Sequence, residues 1–152
     1  MQKLNLPEYD LQIRREGDRT LIFDPFRGRY LVMTPEELVR QTFARYLISE
    51  KGFPASLMAT EYALTLNNLS KRCDILVFAR SGKPVLLVEC KAPAVKITQE
   101  TFDQAARYNM VFQVSYLLVT NGMKHYACYV DHREQRVEFL KEIPGYEIVS
   151  GE

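Results

Sequence analysis

Two runs of sequence decide how the rest is read. The first is Arg72-Cys73-Asp74-Ile75-Leu76-Val77; the second, beyond Ser81-Gly82-Lys83, is Val85-Leu86-Leu87-Val88-Glu89-Cys90-Lys91. Cys73 to Ala79 and Val85 to Lys91 read as the strands of a hairpin, with Ser81-Gly82-Lys83 as its turn. The second strand is apolar on both faces until Glu89, the pattern of a central strand covered on both sides. A side-chain period of two places Glu89 and Lys91 on one face and aims Cys90 into the opposite layer. A short hairpin sets the start of one strand beside the end of its partner, so Asp74 is expected near Glu89.

Outward from this hairpin, the chain alternates between the two periodicities. Tyr62, Leu64 and Leu66 alternate with Ala63 and Thr65, which predicts a strand that Asn67-Asn68 ends. Upstream, Thr34 is placed as an N-cap, with Pro35 at N1 and Glu37 at N3 to complete a capping box. Leu38, Val39, Thr42, Phe43, Tyr46 and Leu47 form the apolar face of the resulting helix, and Gly52 and Pro54 stop it. Arg40 and Gln41 fall on its polar side, facing water or a ligand. Residues before Thr34 read as a β-rich lead-in: Leu11 and Ile13 alternate, Gly17-Asp18 turns, and Leu21 and Phe23 alternate again.

Downstream, Thr98 is placed to cap a helix from about Gln99 to Phe112 that sets Phe102, Ala105, Ala106 and Asn109 against the sheet. Val114 to Val119 is a buried strand, Asn121-Gly122 signals a type I′ turn, and Lys124 to Val130 returns. Val137 to Leu140 is a last strand, and the tail after Pro144 is expected to pack loosely. From Pro35 the order is helix, three strands, helix, strand, strand. The fold class expected is α/β, a mixed sheet with a helix on each face and extra N- and C-terminal strands. One domain over residues 1–152 is expected, with the lead-in at 1–33, the core at 34–130 and a C-terminal strand and tail at 131–152.

Composition narrows the function. A hydrophobic content of 47% with 26% charged residues excludes a disordered or collagen-like chain. The odd cysteine count, Cys73, Cys90 and Cys128, gives no disulfide framework and fits a reducing, cytoplasmic setting. Met1–Pro7 lacks the apolar stretch of a signal peptide, apolar runs are too short to span a membrane, and no P-loop for ATP is encoded. The balance of 20 basic against 19 acidic residues hides a local bias. Residues 71–96 hold Lys71, Arg72, Arg80, Lys83, Lys91 and Lys96 against Asp74 and Glu89, a basic rim around an acidic centre suited to a phosphodiester.

Asp74 and Glu89, with the backbone carbonyl of Cys90 between Glu89 and Lys91, make a hard-oxygen set suited to Mg²⁺ or Mn²⁺. Such an ion polarises a phosphoryl oxygen, and Lys91 could orient or deprotonate an attacking water or stabilise developing charge. The competing reading is a plain carboxylate–lysine pair at a strand end. Burial at the end of an apolar strand weighs against it, because a charge there must be paired or metal-bound. Gln104 and Tyr108, four apart on the second helix, share a face that could reach the same site. Asn121 and Lys124, just after a central strand, could meet a phosphate. His125 and His132 have no partners at metal-ligand spacing and are expected to serve surface roles.

Asp74, Glu89-Cys90-Lys91 and Gln104 with Tyr108 together resemble the signature of the PD-(D/E)XK nucleases. Several segments are similar to the nuclease domain at the N-terminus of type I restriction enzyme R subunits. They are Thr34-Pro35-Glu36-Glu37-Leu38-Val39-Arg40-Gln41, Arg72-Cys73-Asp74-Ile75, Glu89-Cys90-Lys91-Ala92-Pro93, Gln104-Ala105-Ala106-Arg107-Tyr108-Asn109 and Thr120-Asn121-Gly122. Cys73 stands where the family signature names a proline. The resemblance implies a restriction-endonuclease-like core and Mg²⁺- or Mn²⁺-dependent DNA hydrolysis. Asp74 and Glu89 would be metal ligands, Lys91 the catalytic lysine, and Gln104 and Tyr108 an auxiliary pair. It also implies an acid from the first helix, best matched by Glu37, with Glu36 and Glu61 as alternatives. Arg40, Arg72, Lys96, Asn121 and Lys124 are the candidate DNA contacts. The expected partners are DNA and a second copy or other restriction-system subunits, without an ATP-driven motor in this chain. A module that keeps the fold and binds DNA or a partner without cleaving is the alternative.

Overall fold

The computed structural model describes residues 2–152, the side chain of Leu66 excepted. Three short strands open the chain: β1 (Ile13–Glu16), β2 (Arg19–Asp24) and β3 (Arg29–Val32), which form an antiparallel meander. They lead into α1 (Pro35–Lys51) and, through a 3₁₀ turn, into β4 (Met58–Leu66), β5 (Leu69–Phe78) and β6 (Pro84–Cys90). Then follow α2 (Gln99–Phe112), β7 (Tyr116–Thr120), β8 (His125–Asp131), β9 (Arg136–Leu140) and α3 (Tyr146–Ser150). Strands β4 to β9 form one six-stranded sheet in sequence order, antiparallel except where β6 pairs in parallel with β7. That parallel pair needs a crossover, and α2 supplies it.

The sheet is covered on both faces, as the apolar runs of β5 and β6 require. Leu38, Val39, Phe43 and Leu47 of α1 pack with Ile75, Val77, Leu86, Val88 and Cys90. Ala105 and Tyr108 of α2 pack on the other face with Cys73, Leu76, Leu87 and Leu117. Ala106 departs from the expected stripe and is exposed. Among the described residues no helix is long and apolar enough to cross a membrane.

Local chemistry explains most of the element boundaries. The Thr34 hydroxyl accepts from the Glu37 N–H at 3.0 Å, and Gly52 closes α1 in the left-handed conformation at φ 72°. Asn67 and Asn68, with φ of 51° and 64°, form a two-residue turn between the paired Leu66 and Leu69. Positive φ at both central positions is the type I′ geometry, which asparagine tolerates well.

Three further sequence expectations change. The lead-in has a third strand, β3, too short to show a period. The tail does not pack loosely: α3 buries Tyr146 and Val149, and the Tyr146 hydroxyl donates to the Phe78 carbonyl at 3.0 Å. Asn121-Gly122 is not a type I′ turn, because only Gly122 has positive φ. Here Asn121 Oδ1 accepts from the N–H groups of Met123 and Lys124 at 2.9 and 2.8 Å, holding a four-residue loop between β7 and β8. The histidines also have structural partners. His125 lies between the Thr120 hydroxyl and the Asn5 carbonyl at 2.7 and 2.9 Å, and His132 meets the Val114 carbonyl at 2.8 Å.

Asp24, fully buried at the end of β2, ties the meander to the large sheet. Its Oδ2 accepts from Arg27 Nε at 2.7 Å and from the Thr60 hydroxyl of β4 at 3.0 Å, while Oδ1 accepts from the Phe26 N–H at 2.8 Å. Burial alone would raise its pKa; the bonds from Arg27, Phe26 and Thr60 outweigh it and hold the carboxyl below its ordinary value. Truncating one partner of a buried ionic network strands the other. Asp24→Ala is therefore expected to lower stability by about 3 kcal/mol, read as an earlier urea midpoint; a loss under about 1 kcal/mol would show that the tie contributes no more than a surface pair.

Candidate active site

The sheet's regular pairing stops where Asp74 begins. On one side, β4 and β5 pair at Thr60–Ile75 and at Tyr62–Cys73, but the intervening Glu61 and Asp74 do not pair. On the other side, the β5–β6 ladder ends at Ile75–Val88. Glu61 has a left-handed backbone at φ 51°, a conformation that costs a non-glycine residue energy and persists only where its surroundings enforce it. The consequence is a change of phase. Thr60 and Tyr62 lie two residues apart and should share a face, yet the Thr60 hydroxyl meets Asp24 beneath α1 while the Tyr62 ring packs edge-on against Phe112 of α2. On β5 the same flip puts Cys73 in the α2 core and Ile75 in the α1 core.

The freed Asp74 carboxylate is 7% exposed and is held from two directions. Oδ2 accepts from the Cys90 N–H at 2.6 Å, so a side chain replaces the interrupted ladder and ties β5 to β6. Oδ1 accepts from Arg40 Nη2 of α1 at 3.2 Å. The same Nη2 lies 2.5 Å from Glu61 Oε1 and 3.7 Å from Glu36 Oε1, and Arg40 Nη1 donates to Glu37. Glu37 also accepts from Gln41 Nε2 at 2.8 Å.

Glu89 occupies the α2 side of β6. Its Oε1 lies 3.5 Å from Lys91 Nζ, and its Oε2 is buried without a hydrogen-bond partner. Lys91 Nζ donates to Gln104 Oε1 at 3.1 Å, and Gln104 Nε2 donates to the Tyr108 hydroxyl at 3.2 Å. Glu89, Lys91, Gln104 and Tyr108 thus form one connected chain from β6 to α2.

Burial dominates the electrostatics. Burial and the nearby Asp74 charge push the Glu89 carboxyl up to about 8, against the opposing pull of Lys91. Burial also raises Asp74 to about 6, although Arg40 and the Cys90 N–H pull it down. Arg40 itself is held further in its charged form by Asp74, Glu37 and Glu61, despite its burial. The three thiols are raised by burial and make poor nucleophiles.

The structure brings Asp74, Glu89 and Lys91 together and joins Gln104 and Tyr108 to them, as the spacing implied. Glu37 comes to the Arg40 side of Asp74; its carboxylate does not close the predicted capping box, because it faces Arg40 and Gln41. Arg40 is a correction. It is 5% exposed among carboxylates and is not a polar-side residue open to DNA. Gln41, 4% exposed, moves inward with it. The reason is that Arg40 meets the carboxylates of Glu61 and Asp74 on the sheet, while Leu6, Leu11, Phe26 and Met33 of the lead-in pack into the core beside α1. Asn121 is buried, its Oδ1 holding the loop and its Nδ2 donating to the Val95 carbonyl at 2.9 Å. Arg72, Lys96 and Lys124 are exposed.

Two acidic side chains, one with an orphaned, buried oxygen, suit a hard divalent cation. The donors that would hold it are Asp74, Glu89 and the Cys90 carbonyl. Among the described residues no third His, Cys, Asp or Glu side chain joins them in one cluster.

This sheet with its flanking helices, carrying an aspartate at a strand break and Glu-x-Lys on the neighbouring strand, is the PD-(D/E)XK nuclease fold. More narrowly, the chain belongs to the family described as the type I restriction enzyme R protein N terminus, whose model matches residues 35–144. It is similar in structure to a fragment assigned to an HsdR subunit of a type I restriction enzyme from Vibrio vulnificus YJ016, with a TM-score of 0.56 and 17% identity. The match covers 77% of this chain and 24% of that one, so this chain spans only a small part of that protein's length. No curated protein sequence matches the chain.

The raised carboxyl groups predict how stability follows pH in EDTA. A folded-state pKa above the unfolded value means that the folded protein keeps protons the unfolded chain has released. Stability from these groups is then full below the unfolded carboxylate range, about pH 4, and is lost as pH rises through about 6 for Asp74 and about 8 for Glu89. Denaturant unfolding in EDTA between pH 5 and 8 should show a decline that Glu89→Gln reduces by about 1 to 3 kcal/mol; identical slopes for the two proteins would refute it.

Proposed function

We propose that this domain hydrolyses DNA phosphodiester bonds with Mg²⁺ or Mn²⁺. The observation that carries the reading is the connected chain Glu89–Lys91–Gln104–Tyr108, ending in a buried, unpartnered Glu89 oxygen beside Asp74. Asp74, Glu89 and the Cys90 carbonyl would hold the cation, which when bound supplies Lewis-acid stabilisation of a phosphoryl oxygen. Lys91, a quarter exposed at its side chain, reaches both Glu89 and solvent. Its ammonium would orient a water or stabilise charge on the phosphoryl group. Gln104 fixes that ammonium, and Tyr108 fixes Gln104, so the pair acts by positioning.

DNA would approach over the β4–β5 hairpin. From Tyr62 to Cys73 it contains Lys71 and Arg72 and no acidic residue, and both cations are exposed. Lys96 and Lys124 extend the basic surface on loops beside the site. By relation to the R-subunit family, other restriction-system subunits are the protein partners to test, alongside a second copy of the chain.

One observation favours the alternative, a module that binds DNA or a partner without cleaving: both Asp74 oxygens are already engaged, by Arg40 and by the Cys90 N–H. Incubation with linear, circular and single-stranded DNA plus Mg²⁺ or Mn²⁺ separates the two. Wild type should cut at least one form, with Asp74→Ala and Lys91→Ala reduced by about a hundredfold or more. Equal cleavage by all three proteins, or none by wild type, would overturn the nuclease reading. Binding gives a second check, measured in EDTA so that cleavage does not intervene. Lys71→Ala combined with Arg72→Ala should weaken DNA affinity and flatten the plot of log affinity against log salt by about 2; an unchanged slope would remove the hairpin from the DNA surface.

A further inference from the structure

Arg40 occupies a position that the proposed chemistry does not explain. Its guanidinium is nearly enclosed, with a side-chain exposure of 6%, and it faces Glu36, Glu37, Glu61 and Asp74. An arginine placed only to balance Asp74 would need one carboxylate. Here Glu37 and Glu61, from α1 and β4, give the guanidinium a second seat that does not involve Asp74. The Arg40 Nε is buried without a partner, so the side chain is not locked by every donor it has. The strained backbone at Glu61 is what turns that carboxylate toward Arg40.

Resting on the metal-dependent reading, we propose that Arg40 is the internal counter-cation of the site and competes with a divalent metal for Asp74. In metal-free protein, Arg40 bridges Asp74 to Glu37 and Glu61 and makes the buried carboxylates tolerable together. A dication at Asp74 and Glu89 takes over the charge on Asp74 and repels the guanidinium. Arg40 then keeps its bonds to Glu37 and Glu61. It is a positioning residue, and it sets the metal concentration at which the site fills.

The test measures Mn²⁺ binding by calorimetry and thermal unfolding with and without EDTA, for wild type, Arg40→Met, Glu61→Gln and the double variant. Arg40→Met should bind Mn²⁺ at least tenfold more tightly, melt lower in EDTA and gain more in melting temperature on adding Mn²⁺. Glu61→Gln should weaken binding, because Arg40 then depends more on Asp74, and should have no effect in the Arg40→Met background. Wild-type binding that is unchanged or weakened in Arg40→Met overturns the counter-cation role alone. No Mn²⁺ binding by any of the proteins overturns the metal-dependent reading and this role with it. Should Arg40→Met fail to fold in EDTA, folding restored by Mn²⁺ supports the proposal, and failure in both conditions overturns it.

Discussion

Burying a guanidinium among carboxylates at the point where two strands stop pairing is the constraint that organises this molecule. A charge withdrawn from water is tolerable only beside opposite charge and hydrogen-bond partners. Arg40 meets that requirement by drawing on three elements at once: α1 through Glu36 and Glu37, β4 through Glu61, and β5 through Asp74. Each contribution has a structural cost. Glu61 adopts a left-handed backbone, Asp74 leaves its ladder, and α1 buries the charged Arg40 and Glu37. The Asp24–Thr60 bond ties that meander to β4 one residue before Glu61, so the lead-in is part of the site's support as well as its cover.

Strand β6 divides the site into two differently neutralised halves. On the Asp74 side stand a fully charged arginine and a backbone N–H. On the Glu89 side stands one lysine, partly in water and shared with Gln104. Burial raises both carboxyls; Arg40 and the Cys90 N–H pull Asp74 back, whereas Glu89 feels the Asp74 charge and is pulled back only by Lys91. The Cys90 peptide joins the halves: its N–H serves Asp74, and its neighbours Glu89 and Lys91 serve the other side.

Much of this was legible in the sequence because it follows from local periodicity. The two-residue alternation in β5 and β6, the Thr34 cap, the extent of α2 and the placing of Asp74 against Glu89 depend on near neighbours and hairpin closure. What was not legible depends on distant chain. Arg40 reads as surface until Glu61 and Asp74 are known to meet it from the sheet. Even so, Ala44 and Leu47, at four and seven residues beyond Arg40, are buried and carry the signal of an inward face. Tyr146 and Val149 likewise look like tail residues until a receptor at Phe53 and Phe78 exists for them. At Asn121, the dipeptide signal was outweighed by a side chain that makes the turn itself. The phase flip at Glu61 leaves no trace in the pattern, because alternation on either side of it is intact.

The charge inventory also bears on why a divalent cation, rather than a proton or another lysine, would complete the site. Among the described residues, Glu37, Glu61, Asp74 and Glu89 face Arg40 and Lys91, and Arg27, already paired with the buried Asp24, lies 3.8 Å from Glu37. With these acids ionised and Arg27 balancing Asp24, the deficit is two positive charges. A proton on Glu89, whose pKa burial and the Asp74 charge raise, closes half of it. A dication would close the whole deficit and would do so with the oxygen donors that hard ions favour. The remaining carboxylates then have a reason to be present beyond direct ligation, because they hold Arg40 once Asp74 is engaged elsewhere. Family membership fixes the fold but not this balance; the balance is set by the side chains around Asp74, and activity would depend on it.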